Sequence, residues 1–351
     1  MAVRPAVMEA FRKQILSCER LGSPFTARVL ASAMEELGYG GNLEVLIGAW
    51  PGDPVRGALP LRIAGALHAL ALSGTAPDLA ALYPPQGNGD DSAALRAAIA
   101  SAVAAHGAHF SAFLASPPQT NEVARSAALL LGGFLKVAKR TGRPLHLFEI
   151  GASAGLNLLW DRYRYRLGAA NWGDPSSPVL ISTAWSGPLP ALDAPLHIAS
   201  RAGCDRAPID LADPAQRLRL RSYVWADQRD RLARLDHAIA LARQSGVRVE
   251  QADAGEWVEH QLAARGDGTA TVLYHSVVWQ YLSREAQARI IAALDSAGRR
   301  ARPENPLAWL RLEAPAGKPK PDLSLTLWPG GETERLATAH WHGMEVDWAA
   351  A

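Results

Sequence analysis

Two patterns of apolar residues divide the chain near residue 142. Before that point the apolar positions recur every three to four residues, which is the period of an amphipathic helix. The segments with this period are Ala6–Arg20, Ser23–Gly38, Ala58–Leu72, Ala93–Leu114 and Thr120–Gly142. Ser23 can cap the second segment, with Pro24 in its first turn. Residues 1–142 are therefore predicted to be an all-α N-terminal cap domain.

After residue 142, short apolar runs alternate with helical segments. The predicted strands are Leu145–Ile150, Val179–Thr183, Leu196–Ala199, Val247–Gln251, Thr271–Val278, Leu307–Leu312, Leu323–Trp328 and His340–Trp348. The predicted helices are Leu156–Arg166, Pro214–Arg243 with a break near Trp225, Glu256–Ala264 and Ser283–Ala297. Such alternation indicates a parallel sheet with crossover helices. We therefore predict a Rossmann-like α/β domain over residues 143–351.

A turn of small residues, Gly151–Gly155, follows the first predicted strand. Its letters GASAG fit two kinds of site. After a strand that ends in an acidic residue, glycines let the backbone approach a nucleotide-like cofactor, and a following helix offers free N–H groups. The same letters spell G-x-S-x-G, which presents a nucleophilic serine, here Ser153, in hydrolases. Hydrolases place several strands before that turn, so the helical pattern before Leu145 favours a cofactor turn.

Composition and charge narrow the classes of function. Apolar residues make up 48% of the chain and charged residues 20%, which is typical of a folded globular protein. The net charge of +2 is too small to indicate nucleic-acid binding. Cys18 and Cys204 match no zinc or disulfide spacing, so we expect reduced thiols, a cytoplasmic location and no metal site. No apolar run has the length of a membrane helix. Neither pattern nor composition sets the oligomeric state.

A strand ending in Glu149 and the Gly151–Gly155 turn begin five strand–helix repeats and a terminal strand pair. In this order, Leu145 to Trp348 resembles the class I S-adenosylmethionine-dependent methyltransferases, whose seven-stranded sheet ends in an antiparallel hairpin. The resemblance implies S-adenosylmethionine as cofactor and a small or medium-sized molecule as methyl acceptor. The cofactor-binding residues that it implies are Glu149, Gly151, Ala152, Ser153, Gly155, Asn157, Asp205, Asp253 and Ala254.

The resemblance also implies roles for particular side chains. Asp205 follows the second strand and would bind the ribose hydroxyls, with Asp193 and Asp210 as alternatives. Asp253 would hold the adenine amino group, and His275 would border the transferred methyl as a catalytic base. Without the resemblance, Asp205 and Asp253 fit turn or helix-cap positions equally well. His275, in an apolar strand, fits a hydrogen-bonded core residue.

Asn121 and Arg125 are four positions apart and share one face if the last N-terminal helix runs through both. Together with Glu122 and Tyr281, they are predicted to line a substrate pocket on the cap side. The alternative for Asn121 and Arg125 is a helix cap and a surface ion pair.

Several short motifs are spread between residues 119 and 343. They are Gln119–Glu122 with Arg125-Ser126, GASAGLNL, Asp161–Tyr163, Trp172–Pro175, Arg201–Asp205, Pro208–Asp210 and His340–Gly343. With these motifs the chain resembles an uncharacterised bacterial family, domain of unknown function 2332, which brings no known substrate. Three hypotheses stay open: a methyltransferase, a serine hydrolase using Ser153 with Asp253 and either His275 or His340, and a non-catalytic binding module.

Overall fold

The computed structural model describes residues 3–315, 317, 318 and 320–349. The N-terminal region is helical, as predicted. Its helices are α1 (Pro5–Arg20), α2 (Pro24–Leu37), α3 (Asn42–Ile47), α4 (Leu59–Ser73), α5 (Pro77–Leu82), α6 (Ser92–Ala105) and α7 (Gly107–Leu114). The predicted helix Ala93–Leu114 is broken at His106. Helices α3 and α5 escape prediction because six residues are too few to show a helical period.

Contacts group the chain into two compact units. Unit 1 comprises Met1–Thr120 and Ala212–Asp236, and unit 2 comprises Asn121–Leu211 and His237–Ala351. Helix α10 (Pro214–Ser222) belongs to unit 1, and α11 (Arg229–Ser245) runs from unit 1 into unit 2. The predicted break near Trp225 lies between α10 and α11. The predicted boundary at residue 142 is the point where the sequence pattern changes from helices to alternating strands and helices. The two units instead group residues by their contacts in space, and unit 1 also includes Ala212–Asp236.

Within the described ranges, no single helix is long and apolar enough to cross a membrane. Helices α6 and α7 meet those two criteria only as a pair bent by 90°.

The strands of unit 2 form one mixed sheet, which has eleven strands in the described residues. They are β1 (Leu145–Ile150), β2 (Arg164–Leu167), β3 (Ala170–Gly173), β4 (Leu180–Ser186), β5 (Ile198–Asp205), β6 (Val249–Gln251), β7 (Ala270–Ser276), β8 (Leu307–Glu313), β9 (Asp322–Trp328), β10 (Glu332–Ala339) and β11 (Glu345–Trp348). Their order is β3-β2-β4-β11-β10-β9-β8-β7-β1-β5-β6. Strands β6, β5, β1, β7 and β8 are parallel, so the predicted parallel α/β core is present.

Four sequence predictions need correction. The sheet is larger than the predicted seven strands, and after β8 the chain runs antiparallel through β9, β10 and β11 rather than forming one terminal hairpin. The predicted helix Leu156–Arg166 is a 3₁₀ helix, Leu156–Arg162, followed by β2, in which alternate side chains are buried. The predicted strand His340–Trp348 starts only at Glu345.

Helices cover both faces of the parallel strands. Helices α12 (Ala254–Ala263) and α13 (Arg284–Arg299) bury one face against β1, β7 and the start of β8. The other face meets α8 (Ser126–Leu129), a π-helical turn (Leu130–Phe134) and α9 (Leu135–Thr141). There the Phe134 ring stacks on Trp160 at 4.5 Å and meets Tyr274 edge-on at 5.0 Å. Parallel sheets need this cover because both of their faces are apolar.

Gly132 and Gly133 bring the π-helical turn close to the sheet. A Cβ atom on Gly132 would lie 2.1 Å from Trp348 Cζ3, and one on Gly133 would lie 2.1 Å from Leu310 Cδ2. Both distances are far below van der Waals contact. The two glycines therefore let the helix backbone itself pack on the strands.

We expect Gly133→Ala to destabilise the protein by about 1–3 kcal/mol, the usual cost of overpacking a core, because the buried Leu310 must move. Gly107→Ala is the matched control. Gly107 is exposed in the first turn of α7, and a Cβ there meets nothing within 4 Å. That change should be neutral or stabilise by up to about 1 kcal/mol. Urea-unfolding midpoints check both, and equal midpoints for the two variants would contradict the close contact.

Candidate functional site

The carboxyl ends of the parallel strands lie along one edge of the sheet in unit 2. Numbered along the chain, β6-β5-β1-β7-β8 read 3-2-1-4-5, so the order reverses between β1 and β7. In open α/β sheets such a reversal leaves a crevice outside the carboxyl ends of the two strands, and ligands bind there. The residues that follow β1 and β7 therefore form the candidate site.

The turn after β1 depends on its glycines. Gly151 has φ +66° and Gly155 has φ +73°, values that disfavour other residues. A Cβ on Gly151 would lie 2.4 Å from Cγ2 of Val278, which follows β7. A Cβ on Gly155 would lie 3.0 Å from Val249 Cγ2 in β6. The turn thus packs directly against the neighbouring strands and the loop after β7.

Backbone amides of this turn are bonded to protein groups. The amide of Ala152 donates to the Cys204 carbonyl at 3.0 Å, and that of Ser153 donates to Asp205 Oδ2 at 2.9 Å. The amide of Leu156 donates to Asn121 Oδ1 at 2.9 Å. These N–H groups hold the turn in place rather than forming an open anion cradle, and the segment after them is a 3₁₀ helix of seven residues.

Asp205 is the acid that contacts the turn. It is the last residue of β5, and its Oδ1 also accepts the Ala207 amide at 2.9 Å. Of the alternatives, Asp193 is exposed in a turn before β5, and Asp210 lies beside Ile209, whose amide donates to the Ser153 carbonyl at 3.1 Å. The end of the second parallel strand therefore brings a carboxylate onto the Gly151–Gly155 turn, as the sequence suggests.

Glu149 is buried beneath the turn. Its side chain is 2% exposed, and its Oε2 accepts the Tyr274 hydroxyl at 3.2 Å. Burial raises the pKa of Glu149 to about 8, with a further upward contribution from the negative charge of Asp205, while the bond from Tyr274 lowers it. Although Glu149 lies next to the carboxyl end of β1, its side chain is buried against Tyr274 and is not exposed to a ligand there.

Asp253 and Ala254 begin α12. Asp253 is exposed, and its Oδ1 accepts the Gly255 amide at 2.9 Å, as an N-cap does. Ala254 is buried as the first residue of the helix. This is the cap position that the residues alone allow, so the structure provides a complete structural role for Asp253.

His275 is enclosed in the core. Its side chain is 0% exposed, and both ring nitrogens are hydrogen-bonded. Trp309 Nε1–H donates to Nε2 at 3.2 Å, so Nε2 carries no hydrogen, and Nδ1–H donates to Glu313 Oε1 at 2.6 Å. Trp279 stacks on the imidazole, with ring centroids 5.4 Å apart. With these partners, neither nitrogen is available to take a proton from a substrate.

Glu313, at the end of β8, holds the loop that follows β7, and sequence reasoning missed it. Its Oε1 accepts the amides of Val278 at 2.9 Å and Trp279 at 3.2 Å as well as the His275 proton. Val277, just before them, has φ +56°, which is a strained value for a β-branched residue. The sequence signal that could have identified Glu313 is an acidic residue at the end of an apolar strand. Glu149 stands in a similar place, one residue before the end of β1.

The predicted pocket residues are only partly brought together. Asn121 lies outside any helix, before the 3₁₀ turn Val123–Arg125, so the predicted shared helix face with Arg125 is wrong. Asn121 Oδ1 accepts the amide of Leu156, the residue just after the Gly151–Gly155 turn. Glu122 caps the 3₁₀ turn by accepting the Ala124 amide, and Arg125 Nε donates to the Trp341 carbonyl at 3.0 Å. Tyr281 is 68% exposed after β7.

Two buried polar atoms at the turn have no hydrogen-bond partner among the described residues. They are Ser153 Oγ, on a side chain 4% exposed, and Asn157 Oδ1. The hydrolase hypothesis requires an imidazole bonded to Ser153 Oγ, and none is bonded to it in the described part of the chain. Ser153 has φ +55°, a further strained residue at this edge.

Among the residues that the structure describes, no group of three or more His, Cys, Asp and Glu side chains could hold a metal ion.

Comparison with known proteins shows the family to which the chain belongs. No curated protein and no solved structure matches the chain. The model of one family, described as an uncharacterized protein conserved in bacteria (DUF2332), matches residues 8–348. This match covers both the N-terminal helices and the sheet with its candidate site, and the chain therefore belongs to that family.

Proposed function

We propose that the chain binds S-adenosylmethionine at the carboxyl ends of β1 and β7 and methylates a small or medium-sized acceptor. Backbone strain is the observation that carries the proposal. Among the described residues, the non-glycine residues with positive φ are Ala58, Ser153 and Val277. The last two follow β1 and β7, on either side of the reversal in strand order. Such residues cost about 1–3 kcal/mol each and cluster where a ligand site requires them.

The residues at this edge fit part of a nucleoside cofactor. Gly151 lets the turn pack directly on Val278 and so joins the segments after β1 and β7, and Ser153 Oγ is a buried hydroxyl with no partner in the described residues. Asp205 would accept the ribose hydroxyls, as charge-assisted hydrogen bonds, in exchange for one of its amide partners. The strand order 3-2-1-4-5 supports the assignment to the methyltransferase class. Glu149 and Asp253 fit it less well, because one is buried and the other caps α12.

The chain would contribute positioning rather than acid–base chemistry. S-adenosylmethionine, when bound, supplies an activated methyl group on a sulfonium. Holding an acceptor in line with that group supplies much of the acceleration in such a reaction. His275 offers no base here, because Trp309 and Glu313 occupy its two nitrogens. The site therefore suits an acceptor that needs no deprotonation by the protein.

Calorimetry with S-adenosylmethionine and S-adenosylhomocysteine tests the proposal. We expect both to bind the unmodified protein and to lose at least about tenfold in affinity in Gly151→Ala, because the added Cβ displaces Val278 and the turn. Gly142→Ala is the matched control. Gly142 has a similar φ of +61°, but a Cβ there meets nothing within 4 Å. Each variant forces alanine into a left-handed conformation, at a cost of about 1–2 kcal/mol. Only Gly151→Ala should therefore weaken binding.

Other outcomes would support different functions. No binding of either compound by the unmodified protein would exclude the proposal. Labelling by a fluorophosphonate that Ser153→Ala abolishes would support the hydrolase hypothesis instead. Binding without methyl transfer to any member of a metabolite panel would favour a non-catalytic binding module on the same sheet.

A further inference from the structure

Arg311 lies in the middle of β8, on the face of the sheet that α13 covers in part, and no carboxylate pairs with it among the described residues. Its one hydrogen bond to a described residue runs from Nη2 to Thr326 Oγ1 and is long, at 3.4 Å. That hydroxyl is already paired with Thr333 Oγ1 at 2.7 Å. A guanidinium offers five N–H donors in a fixed plane, so most of its hydrogen-bonding capacity is not used by the protein.

Burial makes this arrangement costly. Arg311 is partly buried, and loss of solvent lowers the pKa of its guanidinium without any opposing carboxylate. A charge removed from water is normally paired. Two other partly buried arginines have partners within the protein: Arg201 bonds Asp161 at 2.6 and 3.0 Å, and Arg265 bonds the carbonyls of Ala297 and Asn305.

Aromatic rings adjoin the Arg311 guanidinium. Its Cζ lies 3.9 Å from the centroid of the Trp309 ring, which is the distance of a stacked plane. Trp279 lies next to Trp309, with ring centroids 5.6 Å apart, and both rings are only partly buried. The arrangement thus combines a planar cation with accessible aromatic surface.

We propose that Arg311, Trp309 and Trp279 form a binding site for an aromatic carboxylate. The carboxylate would accept two parallel hydrogen bonds from the guanidinium, in its plane. The ring attached to it would stack on the Trp309 indole, and Trp279, tilted by 55° to Trp309, would border that ring. Trp279 lies in the loop after β7 that also borders the proposed cofactor site, whereas Arg311 and Trp309 belong to β8. Benzoate binding is measured without S-adenosylmethionine, so the failure of one proposal can be told from the failure of the other.

Ligand-observed NMR with benzoate as the probe tests the site. Benzamide has the same shape without the charge, and acetate has the charge without the ring. We expect benzoate to bind at millimolar concentration and each of the other two to bind at least about fivefold more weakly. Arg311→Met keeps an unbranched stem over Trp309 and should weaken benzoate binding by at least about tenfold. Arg311→Lys keeps the charge without the planar fork and should weaken it less.

Arg302→Met is the matched control, because Arg302 is exposed in the loop before β8 and lies 3.7 Å from Asp267, so benzoate binding should be unchanged. Thermal melting of each variant reports whether its fold is intact. The proposal is overturned if the unmodified protein does not bind benzoate, if benzamide binds equally well, or if a folded Arg311→Met variant keeps the original affinity. In each of those cases the role of Arg311 is only to pack on the Trp309 ring.

Discussion

Glu313→Ala is expected to lower the free energy of unfolding by about 3 kcal/mol or more. Three donors lose their acceptor in this variant: the Nδ1–H of the fully buried His275 and the amides of Val278 and Trp279. Each hydrogen bond to a charged group contributes about 1.5–3 kcal/mol, and a buried donor left unpaired costs the full loss of solvation. The strained backbone of Val277 loses its support at the same time.

Urea-unfolding midpoints measure the effect, with two comparisons. Glu313→Gln keeps the shape and one oxygen acceptor, so its loss should be smaller. Glu332→Ala removes an exposed carboxylate at the start of β10 and should change stability by less than about 0.5 kcal/mol. A Glu313→Ala variant as stable as Glu332→Ala would show that the three bonds to Glu313 do not hold the loop after β7.

Glu149→Gln is expected to make the protein more stable than the unmodified chain at pH 8 and to remove part of its pH dependence. Burial raises the pKa of Glu149 from an ordinary 4.5 to about 8, so between these values the folded state keeps a proton that the unfolded state has released. Stability from this group is full below about pH 4.5 and falls as pH rises towards 8. The slope is at most about 1.4 kcal/mol per pH unit.

The quantity to measure is the difference in the free energy of unfolding between the unmodified protein and the Glu149→Gln variant. His68, buried in α4, has a pKa lowered by burial to about 4, so it removes stability as the pH falls below its unfolded value near 6.5. That contribution is common to both proteins and cancels. Chemical denaturation at several pH values between 5 and 8 should show that the free energy of unfolding of Glu149→Gln rises relative to that of the unmodified protein as the pH increases. A constant difference would mean that Glu149 is ionised in the folded protein throughout.

Much of the architecture follows from local patterns. The alternation after residue 142 predicts the five parallel strands, and the helix predicted over Ser283–Ala297 is present as α13, where Ser283 Oγ accepts the Ala286 amide. Strand β10 escapes prediction because its first half is polar and its buried residues, Leu336, Ala337 and Ala339, do not alternate with exposed ones. The π-helical turn escapes as well, since Gly132 and Gly133 fit there only through contacts with distant strands. Such contacts leave no periodic trace in the sequence.

The candidate site is less predictable than the fold. The Gly151–Gly155 turn and Asp205 stand out because their residue types are tied to backbone geometry and to strand ends. His275 and Glu313 show which features of the candidate site cannot be predicted from the sequence. A histidine in an apolar strand suggests a base, but its partners come from β8, 34 and 38 positions away. Only the pairing of β7 with β8 reveals that both of its nitrogens are taken.

Strand β11 gives the sheet an unusual assembly order. It is the last strand along the described chain, yet it lies inside the sheet, parallel to β4 on one side and antiparallel to β10 on the other. A hydrogen bond at this junction joins Thr183 to Gly343 across 160 positions. In the described strand order, β2, β3 and β4 are joined to the strands that carry the candidate site through β11. During synthesis on the ribosome, these three strands would therefore join that sheet only after β11 has been made.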